Sequence, residues 1–178
     1  MVLTLWLRTQ HAAQALGPGE DVEYRNPTPT VDVVILLHDA PQRVVLIRRR
    51  NPPEGWALPG GFIDEGEQVE DAARREALEE TGLEVTLTDL LGVYSDPARD
   101  PRLHTISAVY CARTQAGAVA IAGDDAADVA LVPIDQLRDE VLAASPPTYM
   151  GLPIAFDHAV ILRDWLQLHT HGERPSLR

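Results

Sequence analysis

Three glutamates, Glu76, Glu79 and Glu80, lie in residues 69–81, a stretch without glycine or proline that is dominated by Ala, Arg, Leu and Glu. Such a composition predicts a helix. At about 100° per residue the three carboxylates then occupy a sector of ~100° on one helix face. A cation relieves their mutual repulsion, and an oxygen-only cluster suits Mg²⁺, with Mn²⁺ as a substitute. Two adjacent glycines, Gly60 and Gly61, stand just upstream, and Arg75 directly precedes Glu76. A solvated acidic face paired with Arg74 and Arg75 is the bland alternative; the Gly-Gly loop together with Arg75 argues against it.

Composition removes most other chemistries. All 15 basic residues are Arg, so a phosphate-loop lysine, a Schiff-base lysine and a Ser–Lys dyad are excluded. Cys111 is the single cysteine, which excludes an internal disulfide and a paired-cysteine zinc site and agrees with a reducing cytoplasm. None of the four serines sits in a G-x-S-x-G context. With 27 acidic side chains the formal charge is −12, which disfavours nucleic acid and anionic membrane as partners. The longest apolar runs are too short to span a bilayer.

The elements that must position these groups can be read from pattern. Residues 30–37 (TVDVVILL) form a β-branched run expected to be a buried strand, and 43–48 (RVVLIR) the second arm of a hairpin. A short strand is expected at 56–58, a loop at Pro59-Gly60-Gly61, and strands at 85–87, 90–94, 105–112 and near Leu131. Gly82 should stop the helix over 69–81 as a left-handed cap. A polar loop is expected at 123–128, a short helix at 134–141 and an amphipathic helix at 156–169, where Ala159, Leu162 and Leu166 recur at helical spacing. This mixture predicts an α/β/α sandwich around a mixed sheet, an α/β (α+β) fold. The expected organisation is an N-terminal segment without a clear pattern (1–25), one domain (26–170) and a short tail (171–178).

Residues 61–83, GFIDEGEQVEDAARREALEETGL, keep Gly61, Glu67, Arg75-Glu76, Glu79-Glu80 and Gly82 at fixed spacing, and this stretch resembles a complete Nudix box. The one soft position is Ala77, where the pattern often has a larger apolar residue. The resemblance implies a Nudix-like sandwich in which Glu76, Glu79, Glu80 and the Gly60 carbonyl ligate metal, Glu67 assists, and Arg75 orients a glutamate. Flanking segments, including VVLIRRRNPPEGWALPGGFIDEGE and VYSDPARDPRLHTISAVY, are similar to the bacterial and archaeal ADP-ribose pyrophosphatase branch. That branch implies a small-molecule nucleoside diphosphate substrate, cleavage of ADP-ribose to AMP and ribose 5-phosphate, and often a homodimer. Nucleoside triphosphates, dinucleoside polyphosphates and nucleotide sugars are the alternatives within the enzyme class. A non-catalytic nucleotide-sensing module is the alternative outside it.

Where relatives commonly carry Glu and then an aromatic after the central strands, this chain has Asp128 and then Leu131. The general base is therefore left open among Asp124, Asp125, Asp128 and a box glutamate. Arg48 and Arg50 share one strand face and are read as phosphate-binding, with Arg99, Arg102 and His104 as a ribose-phosphate clamp. Trp56 is a candidate for stacking on a base, Cys111 and Trp165 are expected in the core, and His158 is expected to be structural.

Overall fold

The computed structural model describes residues 26–123 and 126–174. Seven strands form one mixed sheet in the order β3-β2-β1-β6-β5: β1 (Thr28–Leu36), β2 (Arg43–Arg49), β3 (Trp56–Ala57), β5 (Val85–Tyr94) and β6 (Thr105–Thr114). β4 (Gly60–Phe62) pairs with β1, and β7 (Ala126–Pro133) pairs with β2. A separate two-stranded ribbon, β8 (Thr148–Tyr149) and β9 (Leu152–Pro153), precedes the last helix.

β1 is buried on both faces. Val31, Val33, Ile35 and Leu37 face a cluster that includes Ala72, Ala73 and Ala77 of α1 (Val69–Thr81). Val34 and Leu36 face the opposite cluster, with Ile161, Leu162 and Trp165 of α3 (His158–His171). Helices on the two faces of the sheet give the expected sandwich. The alanine side of α1 brings the helix close to the strands, which accounts for Ala77, fully buried, where the box pattern takes a larger residue. Gly82 ends α1 at φ +67° and donates its N–H to the Leu78 carbonyl. α2 (Ile134–Gln136) is a single turn that widens into a π-helical turn over Leu137–Val141.

Several details differ from the sequence reading. The β1/β2 hairpin closes only near its turn, at Leu36↔Val44; beyond it β2 pairs with β3 on that edge, while β7 runs along its other edge from Arg43↔Pro133 to Arg49↔Ala126. β4 takes its place along β1, with Thr30↔Phe62, Val31↔Gly61 and Asp32↔Gly60. The expected Gly-Gly loop is thus a strand. The pairs expected at 85–87 and 90–94 form one strand that carries two register shifts against β6. The polar loop expected at 123–128 gives way to β7 from Ala126 onward, and β8 and β9, each two residues long, left no periodic signal. No described helix is long and apolar enough to cross a membrane.

Candidate active site

Where β2 leaves β1 and β4 replaces it, a cleft opens, lined by Asp32, Gly60, Gly61 and Phe62 from the strands and by Arg49, Arg102 and Phe156 from the rims. The glycines matter here through space rather than through unusual φ. A Cβ on Gly60 would run into the Val31 carbonyl and Asp32, and one on Gly61 into the Glu76 carboxylate. β4 can therefore lie between β1 and α1 only without side chains at these two positions.

Arg75 is the hub of the box. Its Nε and Nη2 donate to Glu67 at 2.9 Å each, and Nη1 donates to Glu76 at 2.8 Å and Glu79 at 3.1 Å. Nη2 also donates to the Phe62 carbonyl at 2.9 Å, tying α1 to the end of β4. Arg75 and the Asp64 N–H hold the Glu67 carboxyl at about 2. Burial pushes Glu76 up, against the pull of Arg75. Glu80 lies apart from the hub: its Oε2 accepts from the Gly60 N–H at 2.9 Å, and burial pushes its carboxyl up to about 8.

Of the expected triad of clustered carboxylates, Glu76 and Glu79 are thus held by a guanidinium and Glu80 by the backbone of β4. Among the described residues no three ligand-type side chains already converge at metal-binding spacing. The donor set nonetheless fits a hard divalent cation, because three carboxylates share one guanidinium and the buried fourth, Glu80, is poorly stabilised as an anion.

The backbone fixes a second neighbour of the box. Ile121 N–H donates to the Thr81 carbonyl at 2.8 Å and Gly123 N–H to the Glu80 carbonyl at 3.1 Å, so the segment before β7 satisfies carbonyls at the end of α1. Asp124 and Asp125 lie outside the described residues. Asp128 is exposed on β7 opposite Arg48, and its carboxylate accepts from the Val129 N–H.

The arginines sort differently from the sequence reading. Strand alternation does divide the triplet, but Arg49, not Arg48 or Arg50, lines the cleft. Arg49 donates to the Pro53 carbonyl at 2.8 Å, and its guanidinium lies 4.6 Å from the centre of the Phe156 ring. Arg102 also lines the cleft, 5.2 Å from the same ring, with its fork on Asp100. Phe156 adopts φ +56°, a conformation bulky side chains rarely take, and so presents its ring to both cations. Arg99 also borders the cleft, but it is 7% exposed and committed to Asp32, Asp157 and Thr105. His104 is exposed and outside the cleft lining, and contributes its carbonyl to the Thr28 N–H. Trp56, 3% exposed, packs in the core against Tyr149 and cannot stack on a base.

Sequence reasoning missed the centre of a buried polar network. Asp32 accepts from Ser107 at 2.6 Å and from Arg99 at 3.1 Å, and its other oxygen lies 3.2 Å from His158 Nε2. His158 Nδ1 accepts from the Leu58 N–H at 2.9 Å, so Nε2 carries the proton that faces Asp32. Burial opposes ionisation of Asp32, yet these partners hold its carboxyl at about 2. An aspartate inside the apolar run TVDVVILL was the available signal.

A model of the NUDIX domain matches residues 28–150. The chain is 39% identical over 146 residues to an ADP-ribose pyrophosphatase of Methanocaldococcus jannaschii, covering 81% of this chain and 76% of that protein. Among solved structures, a MutT/nudix family protein from Enterococcus faecalis superposes with a TM-score of 0.68 at 29% identity, over 94% of this chain and 69% of that one. The NUDIX domain of Shewanella oneidensis NrtR, crystallised with ADP ribose, gives a TM-score of 0.66 at 26% identity, over 89% and 98% of the two chains.

Proposed function

This chain belongs to the Nudix family and is a pyrophosphohydrolase of that family, and from that premise we propose that it cleaves ADP-ribose to AMP and ribose 5-phosphate with a divalent cation, Mg²⁺ or Mn²⁺. The observation that carries the substrate is the reach of the similarity to the archaeal ADP-ribose pyrophosphatase, which extends over 81% of this chain, far outside the box. The box alone supports only the broader class.

In this reading Glu76, Glu79 and Glu80, with the Gly60 carbonyl, hold the cation. When bound, it neutralises pyrophosphate oxygens and acidifies an attacking water. Arg75 keeps the glutamates in register, through the hydrogen bonds that also fix Glu67. Arg49 and Arg102, on the opposite rim, supply positive charge to the diphosphate, and their contact with Phe156 limits the rotamers they lose on binding. A carboxylate among Asp124, Asp125, Asp128 and the box glutamates takes the proton from water. Local charge of this kind lets an acidic protein accept an anion.

AMP release from ADP-ribose, compared by kcat/KM with a panel of nucleoside triphosphates, dinucleoside polyphosphates and nucleotide sugars, tests the assignment. ADP-ribose should lead the panel, and excess chelator should abolish turnover. Faster cleavage of any triphosphate defeats the substrate, and undiminished turnover in chelator defeats the metal.

A further inference from the structure

The segment Leu58-Pro59-Gly60 is held at three successive points. Leu58 N–H donates to His158 Nδ1 at 2.9 Å, the Pro59 carbonyl accepts from Val33 N–H at 2.8 Å, and Gly60 N–H donates to Glu80 at 2.9 Å. The first anchor belongs to the N-terminus of α3, a hundred residues further along the chain. His158 is 3% exposed, and its other nitrogen is occupied by Asp32, itself 6% exposed. Ser107 and Arg99 in turn fix Asp32. The ring is therefore locked in one tautomer, with its acceptor nitrogen aimed at one backbone amide.

We propose that His158 is a positioning residue for the reaction: by accepting from Leu58 N–H it sets the backbone that presents Gly60 N–H to Glu80, and Asp32 orients its ring for that purpose. A core apolar residue would fill the same volume but leave the Leu58 amide buried and unpaired. Proline at position 59 has a fixed φ, so a displaced Leu58 amide carries Gly60 with it. The consequence falls on the glutamate that lies apart from the Arg75 hub and depends on the strand for its hydrogen bond. This inference rests on Glu80 being a cation ligand in the function proposed above. The backbone part of the claim is independent of it.

Three substitutions separate the two ends of the ring. His158→Asn keeps an acceptor near the Nδ1 position, His158→Gln keeps reach toward Asp32 but withdraws that acceptor, and His158→Phe removes both. Amide exchange and ¹H–¹⁵N shifts of Leu58 and Gly60 are measured on the metal-free proteins, Mn²⁺ affinity by electron paramagnetic resonance, and kcat on ADP-ribose. The Phe and Gln variants should exchange the Gly60 amide faster than the neighbouring β1 amides and bind Mn²⁺ about 10- to 100-fold more weakly, the usual cost of removing an outer partner of a metal site. The Asn variant should restore both to within a few-fold. Unchanged Gly60 exchange in the Phe variant, or equal losses in Asn and Gln, overturns the proposal; if the Phe variant does not fold, the Asn–Gln comparison decides. Undiminished Mn²⁺ binding in Glu80→Gln would instead overturn the reading of Glu80 as a ligand, and the metal-free amide exchange would still judge His158.

Discussion

The Glu76 carboxylate occupies the space that a side chain on Gly61 would need: a Cβ there would lie 2.5 Å from Glu76 Cδ and 2.7 Å from Oε2. Gly61 is thus a steric imprint of a box glutamate. Gly61→Ala must push Glu76 away from β4, because β4 itself is clamped between β1 and α1. A displacement near 1 Å at a catalytic constellation costs about 10²-fold. We expect kcat to fall by about that much with little change in melting temperature, both measured on the purified variant. An active Gly61→Ala enzyme would mean that Glu76 has no role at its observed position.

The buried Glu80 carboxyl makes stability depend on pH. Its folded value, about 8, lies above its ordinary value of 4.5, so between these limits the folded state retains a proton that the unfolded chain releases. Stability of the metal-free protein should therefore fall as pH rises through this window, by at most about 1.4 kcal/mol per pH unit. Asp32, held at about 2, titrates below the window and does not oppose the trend. Melting curves from pH 5 to 8 should slope downward in wild type and flatten in Glu80→Gln; identical slopes would place the proton elsewhere. The same Gln variant should lose activity by orders of magnitude, since a ligand charge has gone.

Arg49 and Arg48 are neighbours on opposite faces of one strand, and only Arg49 lines the cleft. Arg49→Ala should raise KM for ADP-ribose about tenfold or more, the loss of one charge-assisted contact. Arg48→Ala should leave KM within twofold. Initial-rate kinetics on both variants decide the matter, and a larger effect at Arg48 would move substrate to the outer face of β2.

Ile121 and Gly123 anchor the segment before β7 to the end of α1. Changed singly to Asn, at least one of Asp124, Asp125 and Asp128 should lower kcat by roughly 10²–10⁴, far more than it changes KM, as loss of a general base does. If all three retain kcat within a few-fold, the base belongs to Glu67, Glu76, Glu79 or Glu80.

The sequence carried the box helix to the residue, since its composition and Gly82 are local signals that tertiary packing did not override. The sandwich was legible for the same reason: the buried strands are continuous β-branched runs. What failed to show was pairing. The fork at which β2 leaves β1 depends on which distant strand competes for each edge, and no periodicity encodes that. Arginine roles were illegible on similar grounds. Arg48, Arg49 and Arg50 are chemically identical in sequence, and the choice among them follows from which face of β2 meets the cleft. Arg99 sits in a loop rich in charge, yet is buried because Asp32 and Asp157 reach it from elements far away in the chain.

The parallel pairing of β1 with β6, from Thr28↔Thr105 to Leu36↔Arg113, constrains the order of folding. α1 and β4 are made well before β6, which brings Ser107 to Asp32, and His158 follows only later still. During synthesis the box helix can therefore form locally while the strand beside it lacks both its long-range partner and the imidazole that anchors Leu58. Closing a loop of this length precedes any reward from the contacts it brings together, a topology that slows folding. The residues for chemistry are translated early, but the geometry that makes them a site arrives with the last helix.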